Sequence, residues 1–301
     1  MLMTIAITGA SGFIGRRLMK ALSGGNHTIR VLSRHAGTNL PAGVKLYVWD
    51  PVKGAPPAES LDGADAVVHL AGEPIAQRWN DEVKQKIRDS RVAGTRNLAQ
   101  ALSDLSARPA VLICSSAIGY YGSRGDEVLT ESSTPGIGFM AQVCAAWEQE
   151  AAAAESLGIR LVKVRTGVVL GENGGALPMM MRPFKAGMGG KLGSGDQWMS
   201  WIHLDDLVGI MQHALDNPMQ GPVNGTAPNP VTNAEFTKKL AHTLGRPAVF
   251  PVPAFMLKTM FGEMSEVMLT SQRVLPKAAE AAGYQFRFPE VEGALQNILS
   301  T

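Results

Sequence analysis

The chain has 301 residues, of which 45% are hydrophobic, 18% charged and 33 glycine, and its 28 Lys and Arg against 26 Asp and Glu leave a net charge of +2. That length supports one large α/β domain or two sharing a core, and the scattered, near-balanced charge argues against nucleic acid or an anionic membrane, so a small-molecule partner is expected. Only Cys114 and Cys144 occur, both in apolar segments, and no apolar run approaches the ~20 residues of a membrane-spanning helix. With Met1 to Ala6 lacking a basic n-region, a cytoplasmic, soluble protein without signal peptide or disulfide framework is expected.

The first predicted strand, Thr4 to Ile7, runs into Thr8, Gly9, Ala10, Ser11, Gly12, Phe13, Ile14 and Gly15. A helix follows, with Ile14, Leu18 and Leu22 recurring every four residues as one apolar stripe to pack on a sheet. Strand, glycine turn and amphipathic helix together are what a dinucleotide diphosphate requires. Gly9 allows the tight turn, Gly12 lets backbone reach the diphosphate, and Gly15 brings the helix close to the strand. The diphosphate then meets the helix N-terminus, so Thr8, Gly9, Ser11, Gly12, Phe13, Ile14 and Gly15 are candidate cofactor residues.

The second predicted strand, Ile29 to Leu32, ends at Ser33, Arg34 and His35, where an NAD-selective site places a carboxylate for the ribose hydroxyl. None is present. Arg34 can make paired hydrogen bonds to a 2′-phosphate and Ser33 adds a hydroxyl, which favours NADP over NAD. Further strands are predicted at Lys45 to Val48, Ala66 to Leu70, Val111 to Ser115 and Arg160 to Arg165, with a long helix from about Asn80 to Leu102. The alternation predicts a doubly wound parallel sheet, a Rossmann fold of about 1 to 170. A segment near 200 to 225 returns to it, and 171 to 301 mainly form a smaller C-terminal substrate lobe. That lobe opens on the glycine- and methionine-rich stretch Gly171 to Gly195.

GADAVVHLAG (63–72), ICSSAIGYYG (113–122), RTGVVLG (165–171) and WIHLDD (201–206) resemble the extended short-chain dehydrogenase/reductase superfamily across nearly the whole chain. LAGEPIAQRW, GYYG, PFKAGMGGKLGSGDQWMSWIH and GYQFRFP are similar to its YfcH-type, sugar-nucleotide-epimerase-like branch. The resemblance implies cofactor contacts at Ser33, Arg34, Leu70, Ala71, Arg91 and Val169, and places the catalytic serine on Ser116. Substrates of such proteins include nucleotide sugars.

The superfamily's chemistry rests on a tyrosine four residues before a lysine on one helix, side by side across one turn. Counting back from Glu148, those positions hold Met140 and Cys144, and no tyrosine or lysine occurs between Glu131 and Arg160. Cys144, without a base and among apolar neighbours, is expected to be an inert thiol. Tyr120 and Tyr121 either pack structurally or supply an acid to a substrate carbonyl, Tyr120 being the candidate. His203, beside Asp205 and Asp206, is expected to cap or pack. Arg91 and Lys86 share the long helix and either face solvent or, for Arg91, reach the cofactor phosphates. Two functions follow: an NADP-dependent oxidoreductase or epimerase-like enzyme using Ser116 and Tyr120, or an NADP-binding sensor that has lost hydride chemistry.

Overall fold

The computed structural model describes residues 2–37 and 40–300. Among them, seven parallel strands form the central sheet: β1 (Thr4–Thr8), β2 (Thr28–Ser33), β3 (Lys45–Val48), β4 (Ala66–His69), β5 (Val111–Ala117), β6 (Arg160–Thr166) and β7 (Gly221–Gly225). Their order is β7-β6-β5-β4-β1-β2-β3, the doubly wound arrangement of a Rossmann fold. The chain reverses its direction of winding between β1 and β4, with Ile5 beside Ile29 on one side and Ala66 on the other. The crevice at such a reversal is where ligands of open α/β sheets bind.

Period-two alternation builds a separate core on each face. Ile5 and Ile7 point to the side covered by α1 (Phe13–Leu22), while Ala6 and Leu32 point to the side covered by α2 (Asp81–Ser103) and α3 (Phe139–Ala152). In α1, Leu18 and Leu22 are buried and Ile14 half-buried, which is the apolar stripe seen in the sequence. α2 starts one residue later than expected because Asn80 is its N-cap, its side chain accepting from the Val83 amide at 2.8 Å.

Beyond Thr166 a short strand, Val168–Leu170, pairs with Trp201–His203 outside the sheet. α4 (Leu177–Lys185) lies between them in sequence, and α5 (Leu204–Asp216) packs against α1. β7 then closes the edge of the sheet beside β6, a strand the sequence pattern did not show. A third core joins α4, α6 (Asn233–Leu244) and the C-terminal helix α8 (Val291–Leu299) around Leu177, Trp201, Phe236, Leu240 and Leu295. Between α6 and α8, α7 (Ala254–Phe261) lies on the surface with only Leu257 buried.

Candidate functional site

The glycine turn at the end of β1 is fixed by what surrounds it. Gly9 has φ +69°, and a Cβ there would stand 2.7 Å from the backbone of Leu70. A Cβ on Gly15 would overlap the Gly9 carbonyl oxygen. Both positions therefore require glycine. The Gly12 amide donates to that same oxygen at 3.0 Å, turning the chain into α1.

The start of α1 has no side-chain cap and no acidic residue in its first turn. α3 starts the same way, without a cap or an acid, but three other long helices do not. α2 has Asn80 with Asp81 and Glu82, α5 has His203 with Asp205 and Asp206, and α6 has a Thr232–Glu235 capping box. The positive end of α1 is left open toward the crevice between β1 and β4, as an anion site requires.

Thr8 lies beneath this turn and is fully buried. Its hydroxyl accepts from the amides of Leu70 and Ala71 at 3.1 and 3.2 Å and pairs with His69 Nδ1 at 2.7 Å, while His69 Nε2 meets Thr95 Oγ1 at 3.1 Å. Burial pushes the His69 pKa down to about 4, so its ring is neutral. Thr8 thus holds the Leu70–Ala71 backbone against the glycine turn rather than facing the crevice itself. Ser11 lies in the turn before the helix, which the half-buried Phe13 begins, and the Phe13 ring packs against the turn containing Gly171, Gly174 and Gly175. Val169, just before that turn, is buried in the sheet-face core.

Arg34 projects from the end of β2 with its side chain 57% exposed, 3.9 Å from Glu73. Ser33 Oγ accepts from the His35 amide at 3.3 Å. Arg91 reaches from α2 to the chain after β4. Its guanidinium donates to the carbonyls of Glu73 and Ile87 at 3.0 and 3.2 Å and lies over the Trp147 ring. Burial lowers its pKa. Lys86, on the same helix, is exposed and paired with Glu82.

At the ends of β5 and β6 lies a buried polar network that residue spacing did not show. Arg165 forms a two-point ion pair with Glu148, both N–H···O distances 2.8 Å. Burial opposes the guanidinium's charge, but the hydrogen bonds and field of Glu148 outweigh it and raise the pKa. Ser116 is 3% exposed and donates its hydroxyl to Glu148 Oε1 at 2.7 Å. In this arrangement Ser116 has no proton left for a substrate oxygen. Tyr121, whose pKa burial pushes up to about 12, accepts from Arg165 and donates to Asn224 on β7. Tyr120 is different. It is half-buried, its ring stacked on the Arg165 guanidinium 3.6 Å from the ring centre, and among the described residues its hydroxyl has no hydrogen-bond partner.

On α3, Met140 and Cys144 face the same loop: a Cβ on Gly119 would stand 3.2 Å from Met140 Cβ and 3.7 Å from Cys144 Sγ. Both cysteines are buried free thiols whose pKa burial pushes up to about 12. Neither is poised as a nucleophile. His203 caps α5, its Nδ1 accepting from the Asp205 amide at 3.0 Å, and stacks on Phe288.

Past these strand ends, a cavity of about 320 Å³ extends into the C-terminal lobe. Ile118 after β5 and Val168 after β6 form its end nearest the sheet, and Phe184, Trp198, Phe236 and Met268 are among its walls.

A family model described as the NAD dependent epimerase/dehydratase family matches residues 5–227, which include all of the central sheet except its first residue, Thr4. The chain belongs to this family. A second model, a domain of unknown function called DUF1731, matches residues 252–298. Among the family's members, the chloroplastic SDR39U1 homolog of Arabidopsis thaliana, an epimerase family protein, is 43% identical over 306 residues, covering 99% of this chain and 87% of that one. The crystal structure of human epimerase family protein SDR39U1 (isoform 2) with NADPH superposes with a TM-score of 0.88 at 35% identity, covering 99% of this chain and 100% of that one. UDP-glucose 4-epimerase of Thermotoga maritima, solved with UDP-glucose, shares the fold at TM-score 0.79 and 18% identity, covering 99% of this chain and 98% of that one. No helix among the described residues is long and apolar enough to cross a membrane.

Proposed function

We propose that the protein is an NADP(H)-dependent oxidoreductase acting on a small carbonyl or alcohol compound, working in the cytoplasm. The observation that carries this reading is the open N-terminus of α1, uncapped and free of acid, set by the Gly9 turn at the sheet's reversal point. The amides there receive the diphosphate. Ser33 and Arg34 take the 2′-phosphate, with the Arg34 fork leaving its 3.9 Å contact with Glu73. The human relative's structure with NADPH supports the same choice of cofactor. Leu70, Ala71 and Val169 line the cofactor's ribose and nicotinamide half, and Arg91 holds the Glu73 carbonyl beside it. Bound there, the nicotinamide supplies or accepts a hydride.

Tyr120 is the proton donor we assign, since Tyr121 spends its hydroxyl on Asn224. Ser116 acts through Glu148, holding the ion pair on whose guanidinium the Tyr120 ring rests. The C-terminal lobe of 171 to 301 supplies the substrate's surroundings.

A second reading, an NADP-binding sensor, is favoured by Met140 and Cys144, two groups unable to shuttle protons at neutral pH on the helix face that meets the β5 loop. NADPH consumption with a panel of carbonyl compounds separates the two. Turnover that falls 100-fold or more in Tyr120→Phe, with NADPH affinity retained, supports the enzyme. NADPH binding with no turnover of any carbonyl supports the sensor.

A further inference from the structure

The cavity in the C-terminal lobe has a chemistry that the fold's nucleotide-sugar-binding relatives do not lead one to expect. Among its described lining residues none is ionisable: there is no Lys, Arg, His, Asp or Glu. A nucleoside diphosphate carries at least two negative charges, and burying them needs guanidinium, ammonium or a row of free amides. Several of the polar lining groups are already engaged in holding the wall together. Ser200 donates to the Gln272 carbonyl, Gln272 Nε2 donates to the carbonyls of Ile118 and Gly122, and Trp198 Nε1 donates to Asp126. Arg273 lies over the Trp198 ring, its guanidinium carbon 4.3 Å from the ring centre, and does not line the cavity.

Methionine is the most frequent residue type in the apolar remainder. Met180, Met199 and Met268 are half-buried in the wall, and Met179, Met188 and Met260 form its solvent edge, 42%, 60% and 59% exposed. Methionine is flexible and polarizable, and it recurs where a surface must adapt to varied apolar ligands. Three such side chains exposed at the edge of an uncharged cavity make an entrance for hydrocarbon.

We propose that the substrate is an uncharged, elongated, largely hydrocarbon carbonyl compound. Its carbonyl end lies at Ile118 and Val168, and its tail lies among the methionines. The assignment rests on the oxidoreductase reading for the carbonyl and on the cavity alone for the tail. In the reducing direction, hydride from NADPH adds to the carbonyl carbon and a proton from Tyr120, restored from water, adds to the oxygen. The products are the alcohol and NADP⁺.

The test uses the whole protein and the uncharged fluorophore N-phenyl-1-naphthylamine, displaced by 2-alkanones from 2-heptanone to 2-tridecanone and by UDP-glucose, with NADPH affinity measured in parallel. Displacement is expected to strengthen about threefold to fourfold per added methylene until the cavity is full, and UDP-glucose is expected to displace nothing. Met268→Glu, and Met179→Glu at the exposed edge where folding is not at risk, are each expected to weaken the fluorophore at least tenfold with NADPH affinity unchanged. Affinity independent of chain length, displacement by UDP-glucose, or indifference of the fluorophore to both variants overturns the proposal. The oxidoreductase reading fails separately, if the alkanones bind as expected but no NADPH binds or none is consumed.

Discussion

Arg34 tests cofactor choice at a single side chain. Its fork is mostly exposed, so removing it disturbs no core, and its ionic neighbour among the described residues is the distant Glu73 carboxylate. A charged hydrogen bond of this kind is worth about 1.5 to 3 kcal/mol. Arg34→Ala should therefore weaken NADPH by about 10- to 100-fold and leave NADH within a few-fold, as read by titrating the fluorescence of each reduced cofactor. An unchanged ratio would remove Arg34 from the 2′-phosphate site. Glu148 poses the opposite case. Its carboxylate and Arg165 are 8% and 4% exposed, so Glu148→Gln leaves a buried guanidinium with half its partner gone. Breaking such a pair costs about 3 to 5 kcal/mol. Ser116→Ala leaves the pair intact and should cost about 1 kcal/mol. Urea unfolding of the two variants should show that ranking, whereas equal losses would mean that the serine hydroxyl does more than hold the carboxylate.

Between elements, the Thr8–His69–Thr95 chain ties β1, β4 and α2 together, and it makes stability depend on pH. His69 titrates near 6.5 when unfolded and at about 4 when folded. Between those values the unfolded chain takes up a proton that the folded chain refuses, so stability falls as pH drops through that window. Its contribution is fully present above about pH 6.5 and is lost, by about 3 kcal/mol, on approaching pH 4. His69→Gln should flatten the slope of unfolding free energy between pH 4.5 and 6.5, whatever it does to stability at neutral pH. A slope equal to wild type would assign the acid sensitivity elsewhere. This chain also marks the limit of what the sequence discloses. β1 to β6 were legible because β-branched runs alternate with amphipathic helices, and the glycine turn because strand, glycines and helix are contiguous. His69 reads as one polar residue ending a strand, and only packing places it between two threonines 61 and 26 residues away. Tyr121 and Asn224, 103 residues apart, are hidden for the same reason. β7 reads Gly-Pro-Val-Asn-Gly, a composition that disfavours strands; it becomes one because it lies at the edge, where β6 offers a free ladder and a proline is tolerated.

Across the whole molecule, the lobe and the sheet are not separable by cutting the chain once. The route leaves the sheet at Thr166, forms α4, returns through α5 to pack on α1, supplies β7, and leaves again for α6 and α8. Asn224, on the returning strand, bonds the Leu275 carbonyl of the later segment and the Tyr121 hydroxyl of the β5 loop. A ligand held only at the glycine turn should therefore stabilise both parts. NADPH at 100 times its dissociation constant adds about 2.7 kcal/mol. In a chain of this size that raises the midpoint of thermal unfolding by about 5 °C. Hydrogen exchange should slow by a similar free energy in the amides of β4 and of α6, if the interleaved chain makes the sheet and the lobe open together. Protection confined to β1, β4 and α1, with α6 exchanging as in the free protein, would instead mean that the lobe opens on its own. The methionine-lined cavity would then be free to admit substrate while the cofactor stays bound.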